Sequence, residues 1–169
     1  MTSRSFTGLF LAAALLAAPA AAHAQTKGSG VWLGGLFGLE AGSETGLQLR
    51  LDGEFPIARL APSVSIAGVG SGSFATLSHN LKVFEFMPAA RLTWAANSTV
   101  GAYGDVGMGL AIASAHSHSD TGAVMRFLAG AYYEMNSYTR LVGEIGLHPH
   151  FGNYDDTTFT LLIGAKFRI

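Results

Sequence analysis

Polar and apolar side chains alternate one in two along most of this chain, and the closing stretch, residues 158–169, carries the pattern to its last position. The threonines, Lys166 and Arg168 take one parity there, and Phe159, Leu161, Ile163, Phe167 and Ile169 take the other. A period of two belongs to a β-strand with one face in an apolar setting and one in a polar setting. Five stretches carry two or three charges each: Arg50, Asp52, Glu54; Glu85, Arg91; Arg126, Glu134; Arg140, Glu144; and Lys166, Arg168. Within every stretch all charges share one parity, an agreement that random placement would give about one time in 64. The opposite parity, with Leu47, Leu49, Leu51, Phe84, Phe86 and Trp94 among its members, holds no charge.

Turn signals divide the chain into eight segments near 31–40, 46–55, 60–69, 83–94, 100–112, 123–135, 139–149 and 158–169, each close to the ~9–11 residues a tilted membrane strand requires. The connections at 56–59, 95–98 and 136–138 are expected to be short turns. Those at 70–82, 113–122 and 150–157 read as longer polar loops, so short and long connections fall on opposite ends, with the 41–45 connection a short exception. Pro88 sits inside the fourth segment, where it has no N–H to give a ladder. A β-bulge or an interruption of pairing is therefore expected at 87–89.

Composition narrows the class. Arg4, an apolar run from Leu9 to Ala22 and the small-x-small site Ala22-His23-Ala24 read as a secretory signal peptide over 1–24, leaving one domain over 25–169. The chain has no cysteine, which excludes a disulfide framework and a lipid-anchored Cys. Ten basic and eleven acidic residues give no basic footprint for nucleic acid. Charged residues are 12% of the chain against a usual ~25%, and glycine fills 22 positions. One uncharged stretch, 60–81, is long enough for a membrane helix but is broken by serines and glycines and does not make one. A soluble barrel would need abundant surface Lys and Glu, whereas the lysines after the signal peptide are Lys27, Lys82 and Lys166.

Aromatic residues on the uncharged parity fall near both ends of the segments: Phe37, Phe84, Phe127 and Phe159 at one end, Phe55, Trp94, Tyr133 and Phe167 at the other. Such girdles suit the two interfaces of a membrane barrel. On this pattern the region 25–169 resembles the small eight-stranded outer-membrane barrels of Gram-negative bacteria, of the OmpA-transmembrane, OmpX and OmpW kind. The resemblance implies an all-β fold, an eight-stranded antiparallel up-and-down transmembrane β-barrel in the cell outer membrane. It also implies outer-membrane lipid as the surrounding partner and recognition of the C-terminal strand by the barrel assembly machinery, here through Phe167 with Ile169 as the terminus. No cofactor is implied.

A closed ring is what lipid demands, because it offers no partner to a free backbone N–H or C=O. Eight strands leave an interior that side chains just fill. The charged parity then faces the lumen, since a charge on the lipid face near the midplane costs ~2–4 kcal/mol. Leaving Glu40 aside, six acids and six bases face inward. Those near mid-strand, Arg50, Asp52, Asp105, Arg126 and Glu144, are expected to form a charge network. Balanced charges favour a plugged lumen and a structural or surface-interaction role, whereas inward glycines such as Gly101, Gly107 and Gly109 leave room and favour a narrow pore or small-ligand conduit.

Other chemistry is thinner. The pairs His116-x-His118 and His148-x-His150 each place two imidazoles on one side of an extended backbone, a possible ligand set for a divalent metal, although polar residues in water account for them more simply. His116-Ser117-His118-Ser119-Asp120 has the residue types of a Ser/His hydrolase acting on lipid A, but it departs from the His-x-Ser-Asn pattern of the deacylases, since position 118 is His. Neither Gly70-Ser71-Gly72-Ser73 nor Gly68-Val69-Gly70 has the setting of a nucleophile elbow or a dinucleotide fingerprint. The expected protein is not an enzyme.

Overall fold

In a computed structural model, which describes residues 30–115, 118–152 and 155–169, eight antiparallel strands close into one barrel in chain order. They are β1 (Trp32–Ala41), β2 (Thr45–Ala61), β3 (Val64–Leu77), β4 (Lys82–Ala95), β5 (Val100–Ala115), β6 (His118–Asn136), β7 (Thr139–Phe151) and β8 (Thr157–Arg168). Each strand pairs with its sequence neighbours, and β1 closes the ring on β8 from Trp32 opposite Arg168 to Ala41 opposite Phe159. Every edge is thereby consumed. The segment 1–24 read as a signal peptide lies outside the described residues.

The strands run further than the turn signals suggested. Residues 56–59 are not a turn, because β2 continues to Ala61 and bends at register shifts between Pro56 and Ala58 and between Arg59 and Ala61. The expected loop at 70–82 is mostly strand: β3 reaches Leu77 and a 3-10 turn at Ser78–Asn80 leads into β4. The expected loops at 113–122 and 150–157 shrink likewise, since β6 starts at His118 and β7 ends at Phe151. All connections are therefore short, and the contrast between long and short loops is lost.

Three prolines lie in strands, each where one ladder side is missing. Pro56 lies beyond the last β1–β2 pair, Trp32 opposite Glu54. Pro88 keeps its β3 partner, Gly70, but β4–β5 pairing breaks off after Phe86 and resumes at Ala89 in the same register. The interruption expected at 87–89 is present, without a bulge. Pro149 has a partner on β8, and the β6–β7 ladder skips between Val124–His150 and Phe127–Leu147. A residue with no N–H is tolerated only at such gaps.

Burial follows the parity. The eight girdle aromatics are all exposed on the outer wall, as are Leu47, Leu49, Leu51, Phe86, Ile145 and Ile163, an apolar exterior suited to lipid. Inside lie Arg50, Asp52, Glu85, Arg91, Asp105, Arg126, Glu144 and Lys166, all under 9% exposed. The inward glycines do not open space. A Cβ on Gly101 would stand 2.3 Å from the Tyr132 hydroxyl, one on Gly107 2.7 Å from the carbonyl oxygen of Pro88 and one on Gly109 2.0 Å from that of Phe86. These positions are glycine because the neighbouring strand presses against them, so they lend a pore no support.

Candidate functional site in the barrel lumen

The lumen is polar in two tiers. The lower one, towards the end where β1 begins and β8 ends (the terminus-bearing end of the described chain), is centred on Arg91 of β4. Its guanidinium grips Asp105 of β5 through Nε–Oδ1 at 2.6 Å and Nη2–Oδ2 at 2.7 Å. Its Nη1 donates to Glu54 of β2 at 2.7 Å, Glu144 of β7 lies 3.5 Å from Nη2, and the Tyr103 ring lies 4.0 Å away. Around this hub Arg50 pairs with Asp52 at 2.9 Å and with Glu144. The Tyr103 hydroxyl donates to Glu144. Lys166 of β8 reaches Asp52 at 3.1 Å and Glu54 at 3.6 Å. Arg126 of β6 donates to the Ser71 hydroxyl at 2.8 Å and lies 3.6 Å from Asp105. Below, Arg140 bonds Glu134 at 2.7 Å and stands 4.2 Å from the rings of both Trp32 and Tyr132.

The structure thus brings Arg50, Asp52, Asp105, Arg126 and Glu144 together. Reading strand middles missed that Arg91, with Glu54 and Lys166, holds them. Because ladder partners are staggered around a barrel, side chains at different depths along their own strands meet at one height. Arg91, Glu54 and Lys166 shared the charged parity, which was the signal available. Below the network, a cavity of about 560 Å³ opens at the terminus-bearing end, with Trp32, Glu54, Thr93, Tyr132 and Arg140 in its wall.

The upper tier is different in kind. Glu85 of β4 accepts from Ser73 at 2.8 Å and meets two rings of β7, His148 Nδ1 at 3.2 Å and His150 Nε2 at 3.0 Å. His148 and His150 are 0% and 1% exposed, so they are not loop residues in water. They continue the inward parity of Arg140 and Glu144, the signal that could have placed them. Of the other pair, His116 lies outside the described residues, and His118 begins β6. Among the described residues no three His, Asp or Glu side chains stand preset at metal-ligand spacing.

Turns at this end clasp one another. Asp156 accepts from the hydroxyl and N–H of Ser43 at 2.7 and 3.1 Å, and His79 meets Glu44 at 2.9 Å. Partial burial works against the Asp156 carboxylate, but the bonds from Ser43 and Thr157 outweigh it and hold its pKa below the ordinary value. In the Ser/His stretch, residues 116 and 117 lie outside the described residues, while Ser119 and Asp120 are exposed.

The family model for the outer membrane protein beta-barrel domain matches residues 10–167. Among curated proteins none matches. Among solved structures, the fold is similar to Neisserial surface protein A, with 14% identity, 85% of this chain and 98% of that chain covered, and a TM-score of 0.68. It is also similar to Ail, the attachment invasion locus protein of Yersinia pestis, at 13% identity, 83% and 99% coverage and a TM-score of 0.57. The outer membrane enzyme PagL stands at 12%, 82%, 99% and 0.57. At these identities the likeness shows the fold, which barrels with and without catalysis share.

Proposed function

We propose that this chain, which belongs to the outer membrane protein β-barrel domain family, is a non-enzymatic barrel with a largely plugged polar lumen, serving in envelope structure or in contacts at the cell surface. The observation that carries the reading is the Arg91 network: side chains from β2 through β8 meet across the lumen at hydrogen-bond and ion-pair distances. Five bases (Arg50, Arg91, Arg126, Arg140, Lys166) face five acids (Asp52, Glu54, Asp105, Glu134, Glu144) there, and a charge removed from water persists only when so compensated. The terminus-bearing end faces the periplasm in this reading, and the clasped turns face outward. The outer wall lies in outer-membrane lipid, and β8, with Phe167 exposed beside the terminus, is the strand presented to the barrel assembly machinery.

Planar-bilayer recording tests the plug. The wild-type protein is expected to show no steady large conductance. Arg126→Ala, which removes the bond to Ser71 and the approach to Asp105, is expected to lower stability by roughly 1–3 kcal/mol and to raise conductance together. Steady conductance in the wild type, or a variant unchanged in both quantities, gives the role to a narrow conduit instead. The cavity at the terminus-bearing end is the feature that favours this second reading.

Closure of the ring has its own expected result. A folded barrel with every edge paired resists detergent, so an unboiled sample migrates differently from a boiled one on a detergent gel. Identical migration together with solubility in plain buffer would contradict the membrane assignment.

A further inference from the structure

The outer wall carries a trough that the lumen does not explain. It holds about 600 Å³, and its floor is Gly104 of β5 and Ala129 of β6, which are ladder partners. Above it stands a continuous row of bulky side chains, Val106, Phe127, Leu147 and Phe159, each opposite the next from β5 to β8. Below it the next row is Ala102, Ala131 and Gly143, all small. The trough is therefore closed towards the outer turns and open towards the terminus-bearing end. Leu92 on β4 and Ile145 on β7 bound its sides, three strand spacings or roughly 14 Å apart. Asp105 borders it as well, but its carboxylate is bound by Arg91 inside the lumen.

The fold does not require glycine here. A Cβ on Gly104 would meet the Leu128 carbonyl oxygen at 3.5 Å, an ordinary contact, and one on Gly143 would meet nothing within 4 Å. That sets them apart from Gly101, Gly107 and Gly109, where the next strand presses in. A strand glycine that relieves no clash inside the protein is the mark of close approach by something outside it.

The two ends of the wall differ in their aromatic residues. Among the described residues the exposed rings of the upper end are phenylalanines, Phe37, Phe84, Phe127, Phe151 and Phe159, whereas at the lower end Trp94, Tyr133 and Tyr138 carry an N–H or O–H. Trp94 is the ladder partner of Ala102, and Tyr133 is that of Val100, two residues before it on β5. The two polar-tipped rings thus flank the open end of the trough. Rings of this kind settle at the headgroup level of a bilayer.

We infer that the trough is a binding site for one acyl chain of a glycerophospholipid, whose ester groups meet Trp94 and Tyr133 and whose chain rises past Ala102 to lie on Gly104 and Ala129. The lipid belongs to the periplasmic leaflet, because the trough opens at the terminus-bearing end; this assignment rests on the orientation proposed above. Hydrocarbon meets the whole outer wall, and in the trough a chain makes dispersion contacts on three sides where a flat wall offers one.

Mass spectrometry of the intact protein, folded in detergent micelles with a few equivalents of phosphatidylethanolamine and then stripped of detergent, tests the site. One phospholipid should remain bound. Ala129→Phe fills the floor with an apolar side chain that a lipid-facing wall tolerates, and should lower occupancy about tenfold or more. Trp94→Phe and Tyr133→Phe each remove one hydrogen bond and should lower it about two- to tenfold. Leu49→Phe, a similar enlargement on the exposed face of β2, should leave it unchanged. Failure to retain a phospholipid, or equal retention by Ala129→Phe, overturns the site. So does retention of lipid A in preference to phospholipid, or a dimer that Ala129→Phe dissociates, which would give the trough to the outer leaflet or to a second copy. The leaflet is checked separately. Ser137→Cys, in a chain without other cysteine, lies in the turn between β6 and β7 at the terminus-bearing end and should resist a membrane-impermeant maleimide on intact cells. Labelling there would overturn the orientation and the leaflet, while retention in micelles would still stand or fall on Ala129→Phe. Neither measurement depends on whether the lumen conducts.

Discussion

Arg91→Leu is expected to destabilise the folded barrel by about 3–5 kcal/mol, the usual cost of removing one member of a buried ion pair and leaving its partners charged. Among the described residues no other inward side chain is shown holding as many acids: Asp105 in a two-point grip, Glu54 through a third nitrogen, and Glu144 at 3.5 Å. Lysine is not an adequate replacement. It keeps the charge but is a point donor, so the fork on Asp105 is lost, and Arg91→Lys should fall between leucine and the wild type. Urea unfolding of the protein in phospholipid vesicles measures the cost. The double variant Arg91→Leu/Asp105→Asn should be less unstable than the sum of its singles, since the second change discharges the acid that the first left uncompensated. Strict additivity, or a loss under about 1 kcal/mol for Arg91→Leu, would mean that water solvates these side chains well and that the lumen is not plugged at their height.

The alternation that made the barrel legible is a property of one strand at a time, and this explains both the reach and the limit of the sequence. The mid-strand charges turned inward and the girdle aromatics outward, because lipid punishes the reverse on every strand separately. Strand ends were less legible. Gly70-Ser71-Gly72-Ser73 has the composition of a loop, but in β3 its serines point inward to Met87 and Glu85 while its glycines face out. Pro56 and Ala58 looked like a turn, yet they sit where β2 has passed the end of β1 and no ladder bond is required. Contacts between strands were the least legible, since they depend on stagger. That is why Arg91 was counted among the inward charges without being seen as the hub, and why six acids and six bases looked balanced although Arg168 and Glu85 lie in different parts of the barrel.

Gly109→Val is expected to abolish refolding into the compact, gel-shifted form. Gly109 stands in register with Met87, at the gap that Pro88 opens in the β4–β5 ladder. There the Phe86 carbonyl turns in over it, and an added Cβ would stand 2.0 Å from that oxygen and 2.9 Å from the Cα of Met87. Both atoms are backbone of a strand held in register on its other side by Gly70 and Gly72, so relief requires moving β4 itself. Overpacking of an interior usually costs ~1–3 kcal/mol. Gly109→Ala should lie in or above that range, and valine adds two methyl groups where one carbon already has no room. The comparison that isolates crowding from glycine's own flexibility is Gly70→Ala or Gly143→Ala. These are also strand glycines, but a Cβ there meets nothing within 4 Å, and restricting the unfolded chain should leave stability equal or raised by ~0.4–1 kcal/mol. If Gly109→Ala unfolded at the same urea concentration as Gly70→Ala, the close approach at Phe86 would not exist in the folded protein.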